Sequence, residues 1–260
     1  MGHGALFRSF VRSATISLAA FLAIVMSFSD LRAGPPFFTD DPEPIDYRHW
    51  EFYVASQQAR DRDGVSGTAP HFEINYGVAP DMMLHVISSL SFNKPGGGTV
   101  KYGIGDLELG LKYRFVREAG GRPQIGTFPH LEVPTGSRSR GLGNGKPQLF
   151  IPVWIQKSWG SWTTYGGGGY WINPGSGNRN YWSIGWEVQR DLSRRVTVGA
   201  ELFGNTSSAI GRGGQTGFNL GAIVSLGGGH QILLSAGRDI LGPNTLFFYI
   251  AYYLTIGPRD

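Results

Sequence analysis

The chain has 260 residues, with 23 Lys or Arg, 19 Asp or Glu, 40 glycines and no cysteine. The missing cysteine excludes disulfides and thiolate metal sites, and the glycine and aromatic content favours many short strands and tight turns over helices. The basic excess is partly a property of the N-terminus. Removing residues 1–33 takes away Arg8, Arg12, Arg32 and Asp30, lowering 23 basic residues to 20 and 19 acidic residues to 18, which is no footprint for nucleic acid.

Residues 1–33 read as a signal peptide. Arg8 and Arg12 form a basic start, Ala14 to Phe28 is an apolar stretch shorter than a comfortable transmembrane helix, and Ala33 offers a small residue for cleavage. The competing reading is a retained anchor helix. Beyond this stretch no run of about 18 apolar residues exists, so any membrane insertion must use strands. Residues 34–48 (GPPFFTDDPEPIDYR) are too rich in proline and acid for a regular strand. They suit either a periplasmic leader or a lumen plug, in which Thr39, Asp40, Asp41 and Pro42 dock on lumen Arg or Lys through charge-assisted hydrogen bonds.

The strands follow with a period of two. Trp50, Phe52 and Val54 alternate with Glu51, Tyr53 and Ala55; Phe72, Ile74 and Tyr76 alternate with His71, Glu73 and Asn75. Met82, Leu84 and Val86 lie opposite Met83 and His85. Leu107, Leu109, Leu111, Tyr113 and Phe115 face one way, and Asp106, Glu108, Lys112 and Arg114 the other. Further candidates lie near 123–133, 147–159, 161–172 and 179–190. The first of these is interrupted by Pro129 and the third is diluted by Gly166 to Gly169. Val196, Val198 and Leu202 then oppose Thr197 and Glu201, Phe218 and Leu220 oppose Asn219, a strand is expected near 230–238, and Leu246 to Ile256 alternate to the end.

The breaks alternate too. Those near 59–68, 94–103, 134–146, 173–178 and 205–214 are longer. Those near 78–81, 117–122, 159–161, 191–195 and 227–229 are mostly tight. These features predict an all-β protein, a single antiparallel up-and-down transmembrane β-barrel of about 12 strands over residues 49–260, with short turns in the periplasm and long loops outside. A secreted β-sandwich would also alternate. Against it, Trp50, Tyr76, Tyr113, Phe115, Trp159, Trp162, Tyr181 and Trp182 lie near strand ends, where membrane-interface girdles sit.

The stretch Gly34 to Pro44 with Trp50-Glu51, then Gly105 to Phe115 (GDLELGLKYRF), then Pro134-Thr135-Gly136 resembles the "meta-pathway of phenol degradation" family of outer-membrane barrels, over essentially the whole chain after the signal. The resemblance implies an outer-membrane location and a role in moving small hydrophobic or aromatic compounds.

The inward charged set is then Glu51, Glu73, Asp106, Glu108, Lys112, Arg114, Glu187 and Glu201, either a selective constriction or an ion-pair network that fills the lumen. No cofactor and no metal is expected; Asp40, Asp41 and Glu43 supply oxygen ligands at an unspecific spacing. The histidines are scattered, with no HExxH or GxSxG, and Ser88 and His85 face opposite ways. No enzyme is therefore expected; an outer-membrane lipid or ester hydrolase is the less favoured alternative. The expected partners are outer-membrane lipid and lipopolysaccharide, a small hydrophobic or aromatic solute and the barrel-assembly machinery, for a monomeric channel. A structural or adhesive envelope barrel is the competing reading. The glycines at 166–169 mark a bend, or a place where a plug or ligand approaches the wall.

Overall fold

The computed structural model describes residues 35–258; the expected signal peptide over 1–33 lies outside the described residues, as does Gly34. Fourteen strand segments form one antiparallel sheet: β1 Trp50–Arg60, β2 Gly64–Ala79, β3 Met82–Pro95, β4 Lys101–Ile104, β5 Leu107–Val116, β6 Gln124–Thr127, β7 His130–Val133, β8 Gln148–Trp159, β9 Trp162–Ile172, β10 Tyr181–Ser193, β11 Val196–Asn205, β12 Gln215–Gly227, β13 His230–Leu241 and β14 Leu246–Ile256. β4 and β5 are one strand interrupted at Gly105-Asp106, and β6 and β7 are one strand interrupted at Phe128-Pro129. Both halves of each pair against shared neighbours, so fourteen segments make twelve barrel strands. β1 pairs with β14 from Trp50↔Ile256 to Arg60↔Leu246, which closes the cylinder and leaves no free edge.

The alternation resolves into two faces. Outward lie Val54, Ile74, Leu84, Ile151, Ile184 (68% exposed) and Leu202 (59%), while Glu187 (0%) and Glu201 (2%) are sealed inside. A wall that is apolar outside and charged inside inverts the rule for water-soluble proteins, and lipid is the solvent that makes it favourable. Trp159 and Trp162 flank the tight turn at Gly160, and Arg190 lies over the Trp162 ring at 5.0 Å, an arrangement suited to the membrane interface. Tyr181 departs from the expected girdle. It turns inward and stacks on Trp171 at 5.8 Å.

Most connections keep their two classes, with two corrections. The break expected to be tight at 117–122 spans 117–123 and is longer than the 96–100 connection. The break expected at 59–68 shrinks to 61–63, because β1 and β2 continue their ladder through Ala59↔Ser66 and Arg60↔Val65. The longest connection, 134–147, folds over the mouth. Its backbone at Gly136 and Asn144 donates to the Asp106 carboxylate at 2.8 and 2.6 Å, and Leu142 is buried, with Gly103 of β4 close against it.

Candidate functional site: the plugged lumen

Residues 35–45 run inside the barrel, and the exposed Asp46 to Arg48 lead from it to β1. The Pro36 carbonyl accepts from Ser235 Oγ at 2.6 Å. Phe38 and Thr39 donate their backbone N–H groups to Glu201 at 2.9 and 2.8 Å, and Thr39 Oγ1 adds a third bond at 2.7 Å. Lys112 Nζ reaches Asp40 at 2.9 Å and Asp41 at 3.4 Å. Arg114 donates to Glu43 at 3.3 Å, and Gln124 and Gln156 donate to the other oxygen of the same carboxylate. Ile45 buries itself among Met83, Phe128, Phe150 and Trp154. Proline explains the path. A segment with several prolines offers few N–H groups to a sheet, so its polar groups bond to wall side chains instead.

The wall is notched to receive this segment. A Cβ on Gly221 would lie 2.6 Å from the Phe37 ring, and one on Gly185 would lie 2.1 Å from Thr39 Oγ1. Neither glycine needs an unusual φ; the close approach alone requires the missing side chain. Gly166 to Gly169, expected to mark a bend or an approach of a plug or ligand, face neighbouring wall residues rather than the plug. They meet the neighbouring strands' backbone and the rings of Trp154 and Trp186.

Of the inward charged set, Glu51, Glu73, Glu108, Lys112, Arg114, Glu187 and Glu201 all face the lumen side. Asp106 sits in the β4–β5 break and anchors the 134–147 loop. One network crosses several strands. Tyr253 donates to Glu51 at 2.9 Å, Asn75 bridges Glu51 and Glu73, and His85 joins Asn75 at 2.7 Å to Glu108 at 3.0 Å. His130 lies 3.4 Å from Glu108. With both ring nitrogens of His85 engaged by Asn75 and Glu108, and Ser88 facing outward, the Ser88–His85 pair is not brought together. Among the described residues no group of three His, Asp or Glu is arranged to hold a metal. Glu187 is directly opposite Glu201 in the ladder and lies under Phe37, beside Gly199.

On the long-loop side of the plug the lumen opens into a cavity of about 500 Å³. Two aromatic groups form its walls. Phe38, Phe203 and Phe247 meet edge to face at 4.7–5.6 Å, and Phe150, Trp171 and Tyr181 stack in a column. Asp40, Glu108 and Glu132 supply its carboxylates. These inward rings are the residues that strand alternation missed. Their signal was parity: Phe150 and Trp154 share it with Gln148 and Gln156, and Phe203 shares it with Glu201.

A closed cylinder, apolar outside and charged within, with its own N-terminal segment seated in the lumen, defines an outer-membrane β-barrel. By sequence the chain belongs to the family described as "Putative MetA-pathway of phenol degradation", whose model matches residues 71–255. The match includes GDLELGLKYRF and leaves out the plug. Among solved structures the chain is similar to the COG4313 outer membrane channel from Pseudomonas putida F1, at 16% identity and TM-score 0.68 over 86% of this chain and 100% of that one. It is similar also to the KdgM porin in complex with oligogalacturonate (8%, TM-score 0.56, 78% and 98%). The translocator domain of the autotransporter NalP from Neisseria meningitidis is a third (10%, TM-score 0.54, 98% and 99%). At these identities the likeness is one of fold. No curated protein matches the sequence.

Proposed function

We propose that the protein is an outer-membrane channel for small aromatic or hydrophobic solutes, working by diffusion with no energy source of its own. The observation that carries this reading is the aromatic cavity of about 500 Å³ on the long-loop side of the plug. It matches the size and lining of small-molecule sites, mostly apolar with a few convergent polar groups. A solute enters from the outside, rests against the rings, and passes when residues 35–46 shift from the wall. The family's association with phenol degradation supports the solute class.

The test compares initial uptake of a labelled arene at low concentration by cells carrying or lacking the gene, together with single-channel recording of the purified protein. Slower uptake without the gene, restored by complementation, is the expected result. A second reading, a structural envelope barrel, is favoured by how fully the Lys112, Arg114 and Glu201 contacts occupy the plug's polar groups. Equal uptake in both strains and no measurable conductance would establish it.

A further inference from the structure

The cavity has an uneven charge. Its lining contains three carboxylates, one imidazole and no lysine or arginine. Asp40 is held by Lys112 from beneath, and Glu108 faces His85 and His130. Glu132 is different. It stands directly opposite Glu108 in the β5–β7 ladder, a like-charge placement that costs stability. Its hydrogen-bond partner is the neutral amide of Asn144, and among the described residues no Lys, Arg or His lies within ion-pair distance of it. A carboxyl group with no cation of the protein beside it therefore opens onto an aromatic chamber.

Resting on the channel reading above, we infer that this chamber is a binding site that sorts arenes by charge. It holds arenes bearing an ammonium group best, neutral arenes less well, and aryl carboxylates least. The rings supply apolar contact to all three. Their π-faces add attraction for a cation, and Glu132 attracts an ammonium and repels a carboxylate across a partly desolvated space. An ammonium seated there would also relieve the Glu108–Glu132 repulsion.

The test uses the full-length purified protein in detergent and three probes of matched shape, 2-phenylethylammonium, 2-phenylethanol and 3-phenylpropionate, with binding measured by calorimetry at pH 8.5, where both the carboxyl and the amine are charged. The ammonium is expected to bind on the order of tenfold or more tighter than the carboxylate, with the alcohol between. Added salt is expected to narrow the spread. Glu132→Gln keeps the shape and the Asn144 contact, and is expected to bring the ammonium and carboxylate within about threefold of each other. Heat-modified electrophoretic mobility checks that the variant barrel is folded, and Glu132→Asp, which keeps the charge, is expected to retain the order. Equal binding of ammonium and carboxylate, an order unchanged in Glu132→Gln, or no binding of any probe overturns the inference. Those results leave arene uptake by cells untouched as a test of the channel. Ordered binding with no difference in cellular uptake would instead sink the channel reading and keep the site.

Discussion

The two halves of the lumen are built on opposite plans from the same twelve strands. Toward the short turns, Lys112, Arg114 and Glu201 each meet an oppositely charged or hydrogen-bonding group of the plug, and the space is filled. Toward the long loops, rings surround an open chamber, and among the described residues no cation lies within ion-pair distance of Glu132. A buried charge without a partner is costly, so the filled half acts as a lock: removing one component leaves the others exposed to that cost. The open half has room for an added molecule. The contacted segment and the open cavity are thus separated along the barrel axis.

The contrast breaks most completely if the plug is removed. Deleting residues 35–46 leaves a twelve-strand cylinder without its filler, and conductance in planar bilayers is expected to rise on the order of tenfold, since a barrel of this size has room for a narrow channel. A conductance no higher than that of the intact protein would show that the wall side chains alone close the lumen. Next in size is Lys112→Met. It leaves the buried Asp41 and the half-buried Asp40 without their lysine, at a cost of about 3–5 kcal/mol for a broken buried pair. The ladders of β1 to β14 do not depend on this contact. The cost therefore falls on plug docking and is read as protease cleavage within 35–48, with heat unfolding of the barrel little changed. Gly221→Leu is gentler. It fills the notch under Phe37 and is expected to weaken docking by about 1–3 kcal/mol, as overpacking does, again measured by protease accessibility. Gly121→Ala, where a Cβ meets nothing within 4 Å, is the control.

These variants also mark what the sequence could and could not say. Strand faces were legible because the side-chain period is two, so Leu109 and Leu111 declared the outside and Glu108 and Lys112 the inside. The acidic Asp40-Asp41 pair and the basic Lys112 and Arg114 suggested docking by sign alone. The pairing of Thr39 with Glu201 was not legible, because it joins residues 162 apart that only barrel closure brings together. The chamber was hidden for a different reason. Alternation equates apolar with outward, and Phe150, Trp154 and Phe203 break that equation while keeping the parity of their polar neighbours. Asp106 kept the parity of Glu108 but fell in the Gly105-Asp106 interruption, where a loop backbone supplied nearer donors. The 61–63 turn was overestimated because Gly64 and Gly67 look like loop residues yet stay in the ladder.

The smallest effect tests where the lock ends. Asp81, in the tight turn between β2 and β3, accepts from Arg114 at 2.8–2.9 Å and from Arg117 at 2.6–2.9 Å, and Arg114 also reaches Glu43 of the plug. Partial burial pushes the Asp81 carboxyl up, but the hydrogen bonds from Arg117 and then Arg114 outweigh it and hold it below the ordinary carboxylate range. A carboxyl with a lowered folded value stabilises above its unfolded pKa, and loses that contribution as pH falls through the folded value. Asp81→Asn is a fair substitution because the residue sits at φ 62°, a left-handed conformation that asparagine tolerates. At neutral pH it is expected to cost about 0.2–1 kcal/mol, since Arg117 is solvent-exposed and such pairs are screened, and the difference from the unaltered protein is expected to vanish at strongly acid pH. Plug protection should hold, because Arg114 keeps Glu43 and Gln124. If Asp81→Asn instead releases the plug as Lys112→Met does, the turn belongs to the lock, and the filled half of the lumen extends to the rim of short turns.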